Sequence, residues 1–145
     1  MRKVDIMHVG LTVKDIDRAK AFYEALGFSE VTHHILDEEY ISAREQLYNL
    51  PKGTVSKISM LAGTNGIQVE LFEFNHTEDA ESLVWNRQGI THFDITTDDV
   101  DGIYERVQEL GAEIAYPICN GMIQRYFFCR DLDGNLIEVG QPFST

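Results

Sequence analysis

The stretch Ile6-Met7-His8-Val9-Gly10-Leu11-Thr12-Val13-Lys14-Asp15-Ile16-Asp17 returns 84 positions later as Ile90-Thr91-His92-Phe93-Asp94-Ile95-Thr96-Thr97-Asp98-Asp99-Val100-Asp101. The match runs without a gap from residues 6–31 to residues 90–115 and includes Leu26-Gly27 over Leu110-Gly111. Self-similarity at a fixed offset marks a duplicated structural unit. The back halves align at an offset of 68, with Gly66 over Gly134, Val69 over Ile137, Glu70 over Glu138 and Leu71 over Val139. Offsets of 84 and 68 differ by 16, so the first copy carries sixteen additional residues, placed between Thr32 and Val55.

Each copy opens with a strand. In Asp5–Val13 the set Met7, Val9, Leu11, Val13 alternates with Ile6, His8, Gly10, Thr12, the period of two of a half-buried strand. A helix follows, with Asp15 or Asp17 as its N-cap, Ile16, Ala19, Phe22 and Leu26 on one face, and Gly27 as its stop. Its duplicate presents Val100, Ile103, Val107 and Leu110, ending at Gly111. Strands are expected near Ser29–Ile35, Lys57–Leu61 and Ile67–Phe74, and again near Ala112–Pro117, Gln124–Arg130 and Asn135–Gly140. The connections Gly63-Thr64-Asn65-Gly66 and Asp131-Leu132-Asp133-Gly134 are tight-turn sequences. The predicted fold class is therefore α+β, a βαβββ module written twice within one domain over residues 1–145. Module one spans about 5–75, a linking helix about 78–88, and module two about 90–141.

Composition narrows the function. With 43% hydrophobic and 25% charged residues among 145, the chain reads as an ordinary globular domain. Nothing resembles a membrane span or a signal sequence, which reads as cytoplasmic. A net charge of −12 argues against nucleic acid as a partner. It also disfavours a polyanionic substrate, unless Lys52, Lys57, Arg125 or Arg130 forms a local basic patch. Cys119 and Cys129 are not spaced as a metal or redox pair and read as free thiols.

The duplication places one His and one Glu at matching positions of each copy. His8, Glu70, His92 and Glu138 all alternate with apolar rows (Met7-Val9-Leu11, Val69-Leu71, Phe93-Ile95, Ile137-Val139) that should pack beneath the helices. The four polar residues then face the opposite side of the sheets, where the repeat directs them toward a common centre. An isolated His or Glu in a strand is ordinarily a hydrogen-bonded or solvated residue. Two inward carboxylates without a cation are costly, however. Two imidazoles and two carboxylates suit one divalent metal ion of the Zn, Ni, Co, Mn or Fe kind.

With these residues in hand, the sequence resembles the vicinal oxygen chelate superfamily, which includes glyoxalase I, methylmalonyl-CoA epimerase, extradiol dioxygenases and the bleomycin- and fosfomycin-resistance proteins. The carriers are residues 6–16, Ala21-Phe22-Tyr23-Glu24-Ala25-Leu26-Gly27-Phe28, Ile67-Gln68-Val69-Glu70-Leu71, Ile90-Thr91-His92-Phe93 and Asp131-Leu132-Asp133-Gly134-Asn135-Leu136-Ile137-Glu138. The resemblance implies two βαβββ modules in an incomplete eight-stranded β-barrel around a metal site. It also implies a glyoxalase- or epimerase-like lyase or isomerase acting on a small oxo compound or thioester. In such a site the metal lowers the pKa of a C–H next to a carbonyl and holds the enediolate. Glu138, or Glu70 across the pseudo-twofold, moves the proton. His8 and His92 remain fixed ligands, and a homodimer is expected. Two departures blur the substrate. The strand that should bring an epimerase's second acid offers Lys57, and no basic set matches the one that binds glutathione carboxylates. The alternatives are an extradiol-type dioxygenase and a sequestering antibiotic-resistance module that binds without turnover.

The insertion, residues 32–55, mixes His33, His34, Tyr40, Arg44, Tyr48 and Asn49 with Ile35, Leu36, Ile41, Leu47 and Leu50. It reads as a lid over the cavity or, equally, as a surface excursion. His33 and His34, adjacent in a strand, point to opposite faces and cannot serve one site. Phe72 and Phe128 are candidates for cavity walls, and Trp85 reads as packing.

Overall fold

The computed structural model describes residues 1–144. The chain divides into two compact units, Met1–Glu78 and Asp79 onward. The first contains β1 (His8–Thr12), α1 (Ile16–Ala25), β2 (Ser29–Leu36), α2 (Glu38–Ser42), α3 (Glu45–Tyr48), β3 (Ser56–Ala62) and β4 (Gln68–Phe74). The second contains β5 (Phe93–Thr96), α4 (Val100–Glu109), β6 (Glu113–Asn120), β7 (Gln124–Arg130) and β8 (Leu136–Pro142). Their sheets have the same order, β1-β4-β3-β2 and β5-β8-β7-β6, with the first pair of each parallel and the others antiparallel. The βαβββ module is thus present twice, as the repeat requires, in two separate four-stranded sheets. Among the described residues no helix is long and apolar enough to cross a membrane.

The duplication extends to individual hydrogen bonds. Asp15 caps α1 by accepting from the Arg18 amide at 3.0 Å, and Asp99 caps α4 by accepting from the Gly102 amide at 2.9 Å. The Ile16 amide donates to Glu73 Oε2 at 2.7 Å, and its equivalent Val100 donates to Gln141 Oε1 at 3.0 Å. A strand side chain therefore ties each helix N-terminus to the sheet beneath it. The β3–β4 and β7–β8 turns each need a left-handed residue, supplied by Gly66 and Gly134, both at φ 85°.

Alternation assigns the faces. Val69 and Leu71 are buried beneath α1, as are Ile137 and Val139 beneath α4, while Glu70 and Glu138 point to the face without that helix. The apolar row of the first strand is less enclosed than expected, because β1 lies at a sheet edge. Val13 is buried, Val9 and Leu11 are half-buried, and Met7 is 70% exposed. The strand begins at His8 rather than Asp5, and its duplicate begins at Phe93.

One expectation is revised. The linking helix over 78–88 does not form: residues 77–84 are irregular, and a single turn closes with the Arg87 amide donating to the Val84 carbonyl at 3.1 Å. A ten-residue helix must repay a costly nucleus by burying one face. Here Leu83 is half-buried, Val84 and Trp85 stay exposed, and Gly89 at φ 143° ends the segment. The insertion, expected as a lid over the cavity or a surface excursion, is built of regular elements. It extends β2 and then folds as α2 and α3 onto the open face of the first sheet. There Ile41 is buried with Leu36 and Ile58, and Tyr48, Phe72 and Phe74 pack around them. Asn49, at φ 49°, reverses the chain after α3.

Candidate metal centre

In the first unit β1 and β4 run parallel, with Gly10 opposite Glu70 and His8 opposite Gln68. This register brings His8 Nε2 to 2.9 Å from Glu70 Oε2. In the second unit Asp94 is opposite Glu138, and His92, which immediately precedes β5, brings Nε2 to 3.1 Å from Glu138 Oε2. All four predicted residues are therefore present as two equivalent His–Glu pairs, one in each unit. Among the described residues no group of three or more His, Cys, Asp or Glu side chains is gathered at one point.

The donor set of each pair fits a divalent ion. Two ligands of one ion, each bonded at about 2.0–2.2 Å, lie about 3–3.5 Å apart in octahedral or tetrahedral geometry, close to the separation of these N and O atoms. The His92 ring is oriented for it. Nδ1 lies 2.8 Å from Thr91 Oγ1, which leaves Nε2 on the edge facing Glu138. A partner on the second ring nitrogen is what fixes the tautomer of a ligating histidine. Side-chain exposure is 15% for Glu70 and 19% for Glu138, so both carboxylates are largely withdrawn from water, while His8 at 40% is more open.

The surroundings of the two pairs differ. Around Glu138, Gln124 Nε2 donates to Oε1 at 3.0 Å and lies 3.4 Å from Asp94 Oδ2. Burial raises the Asp94 carboxyl above its ordinary pKa, the Gln124 bond opposes that shift, and the Glu138 charge adds to it. Gly140, opposite Tyr126 on the same face, makes room for Gln124, whose carboxamide occupies the space a Cβ would fill. Around Glu70 the corresponding places hold Ser56, Gly10 and Phe72, and the Phe72 ring passes 3.8 Å from a Cβ built on Gly10. Tyr48 of the insertion stands near enough to Glu70 for that charge, after burial and Tyr40, to help raise its phenol pKa.

Aromatic rings surround His92. Trp85 and His92 have ring centroids 5.3 Å apart, His92 and Phe128 5.2 Å, and Trp85 and Phe128 6.0 Å at 79°. Tyr126 continues the series to Phe128 at 5.9 Å and 88°, and its hydroxyl, bonded to Cys119, titrates above the ordinary phenol value. Trp85 is 59% exposed and so is not core packing. Phe128 lies opposite Glu138 on the open face.

Sequence reasoning did not single out Asp94 or Gln124. Asp94 carried a usable signal, being two residues beyond His92 on the same strand face. Gln124 carried none, since its role depends on the register of β7 with β8. Of the residues considered for a basic patch, three are engaged by neighbours within their own units. Arg125 pairs with Asp101 at 2.9 Å, Arg130 donates to the Gly134 carbonyl, and Lys57 lies 3.6 Å from Glu73 on the helix-covered face. His33 and His34 do point apart, opposite Ser59 and Ile58 respectively, and His33 pairs with Glu30 at 3.1 Å.

Residues 5–139 match the family model of the Glyoxalase/Bleomycin resistance protein/Dioxygenase superfamily, and the chain belongs to that superfamily. Among solved structures, a glyoxalase family protein from Bacillus cereus aligns with a TM-score of 0.83 at 21% identity, covering 99% of this chain and 97% of that one. The trypanothione-dependent glyoxalase I of Leishmania major aligns at 0.67 and 17%, over 96% and 87% of the two chains. A fosfomycin resistance protein from Listeria monocytogenes, solved with Mn(II) and a dihydroxypropylphosphonic acid, aligns at 0.63 and 19%, over 96% and 90%. At these identities the likeness establishes the fold alone. No curated protein sequence matches the chain.

Proposed function

We propose that the protein is a metal-dependent lyase or isomerase that transfers a proton next to the carbonyl of a small oxo compound or thioester. His8, Glu70, His92 and Glu138 together hold one divalent ion of the Zn, Ni, Co, Mn or Fe kind. The observation that carries the reading is the pair of equivalent His–Glu contacts, at 2.9 and 3.1 Å, at duplicated positions. When bound, the ion supplies Lewis acidity to a substrate carbonyl.

The chain's own residues account for the rest. His8 and His92 are neutral nitrogen donors, and Thr91 holds the His92 ring in its orientation. Glu138 is the base. Gln124 donates to Oε1 and holds the carboxylate in place, so Oε2, on the side of His92, is the oxygen released to take a proton. Among the described residues no amide side chain bonds Glu70 in this way, and it serves chiefly as a ligand. The stacked Phe72–Phe74 pair and the insertion cover part of the neighbouring surface of the first sheet, and reduced access of water strengthens charge interactions there.

The active form is a homodimer, consistent with exposed apolar side chains at Ile6, Ile90, Met122 and Ile123; sedimentation equilibrium measures this directly. The chemistry is tested by NMR in heavy water on 2-oxo hemithioacetals and methylmalonyl-type thioesters with metal restored. Exchange of the α-proton without oxygen uptake is expected. Glu138→Gln should lower the rate by about 10²–10⁴-fold, and Glu70→Gln should have the smaller effect. Oxygen uptake on catechols, with no carbonyl exchange, would replace this reading with the dioxygenase. Tight ligand binding with neither activity would replace it with the sequestering module.

A further inference from the structure

Because the two units are copies, each is a control for the other. Across the open face of the first sheet the row through Glu70 reads Thr32, Met60, Glu70, Gly10. The equivalent row through Glu138 reads Tyr116, Phe128, Glu138, Asp94. One fold is thus built with a hydroxyl and a thioether in one copy and two aromatic rings in the other, so sheet formation does not require the rings. Core packing does not require them either. Tyr116 is 51% exposed, and Trp85, which touches both His92 and Phe128, is 59% exposed. A half-open indole beside partly buried polar groups forfeits much of the burial gain aromatic residues bring to a core. It has the character of a ligand-binding wall, in which apolar surface surrounds a few placed polar groups.

We infer that the ligand of the proposed metal centre carries a planar aromatic ring, packed against Trp85, Phe128 and Tyr126, joined to the oxygen-bearing group that faces His92 and Glu138. This rests on the metal-site reading above but not on which reaction follows. Trp85 and Phe128 stand at 79°, and Phe128 and Tyr126 at 88°, so the wall offers both ring faces and ring edges. A guest ring can meet one neighbour face-on and the next edge-on, the two favoured aromatic geometries. An aliphatic guest gains only buried area.

Benzohydroxamate and acetohydroxamate test this, because both chelate a divalent ion through two oxygens and differ in a phenyl against a methyl group. On the zinc-loaded protein, calorimetry should show benzohydroxamate binding about tenfold tighter, after correction for the affinities of free zinc. The chain's single tryptophan should change its fluorescence with the phenyl compound. Tyr116→Thr with Phe128→Met rebuilds the row that the first unit already carries. It should remove the preference, so that the two compounds bind with similar affinity. Trp85→Ala should weaken the phenyl compound several-fold. Equal affinities in the wild type, or an undiminished preference in the rebuilt row, would overturn the inference. Equal, zinc-dependent binding of both compounds sinks the ring slot and leaves the metal centre standing. A phenyl preference that needs no zinc does the reverse.

Discussion

Gly140→Ala is the substitution whose outcome the geometry fixes most narrowly. The added Cβ has no backbone objection to meet, since Gly140 is not among the glycines at positive φ. In an otherwise neutral strand position, alanine would be the better residue. It instead overlaps the Gln124 carboxamide, and Gln124 holds Glu138 Oε1 at 3.0 Å. The amide must swing away, breaking a hydrogen bond to a carboxylate that is 19% exposed. The colliding atoms are the far end of a flexible side chain, so moving them costs little in itself. A hydrogen bond to a charged group contributes about 1.5–3 kcal/mol, at the lower end here because the carboxylate retains some water. Gly140→Ala should therefore lose roughly 1–2 kcal/mol in urea unfolding and weaken metal binding. In a Gln124→Ala background the collision is gone, and adding Gly140→Ala should cost nothing or stabilise slightly. The coupling from this double-mutant cycle should be about 1–3 kcal/mol. Additive effects would show that Gln124 is not the neighbour that requires glycine at 140.

Other outcomes follow from single contacts. Ile41→Ala should cost about 2–4 kcal/mol in chemical unfolding, because Ile41 is 3% exposed and anchors the insertion on Ile58 and Leu36; a loss within error would mean the insertion is not docked. Burial and the Asp131 charge push the Cys129 thiol up to about 12, so at pH 8 a disulfide reagent should label Cys119 alone until the protein is unfolded, and rapid labelling of both would contradict this. Glu30 titrates below its ordinary value because Ser59 donates to it at 2.6 Å and Lys20 stands 3.1 Å away. Its contribution is complete above the unfolded value near 4.5 and fades as pH falls through the lower folded value. Ser59→Ala should thus cost about 1–2 kcal/mol at pH 7 and progressively less in acid, and a pH-independent deficit would refute the assignment.

Most of what builds each unit is readable from local pattern. The repeat at Ile6 and Ile90, the caps Asp15 and Asp99, the turns ending at Gly66 and Gly134, and the burial of Val69, Leu71, Ile137 and Val139 all follow from alternation and propensity. What failed depended on partners that the pattern does not name. Residues 78–88 have a helical spacing of Ala80, Leu83 and Val84 but no surface to bury it against, so no helix forms. Trp85 read as packing because a lone tryptophan usually is, yet it stays open beside His92 and Phe128. The two His–Glu pairs were legible because duplication marks them twice. Asp94 and Gln124 break that symmetry, since the equivalent positions of the other copy hold Gly10 and Ser56, and only the β7–β8 register gives Gln124 its partner.

If the two His–Glu pairs serve one ion, as proposed, metal stoichiometry must show it. Elemental analysis of protein purified without added metal, then titrated with zinc, should give one divalent ion per chain. His8→Ala and His92→Ala, each in a different unit, should both fall to about a tenth of that or less, with the fold retained because the buried rows of both sheets are untouched. Two ions per chain, or full occupancy surviving either substitution, would contradict the account.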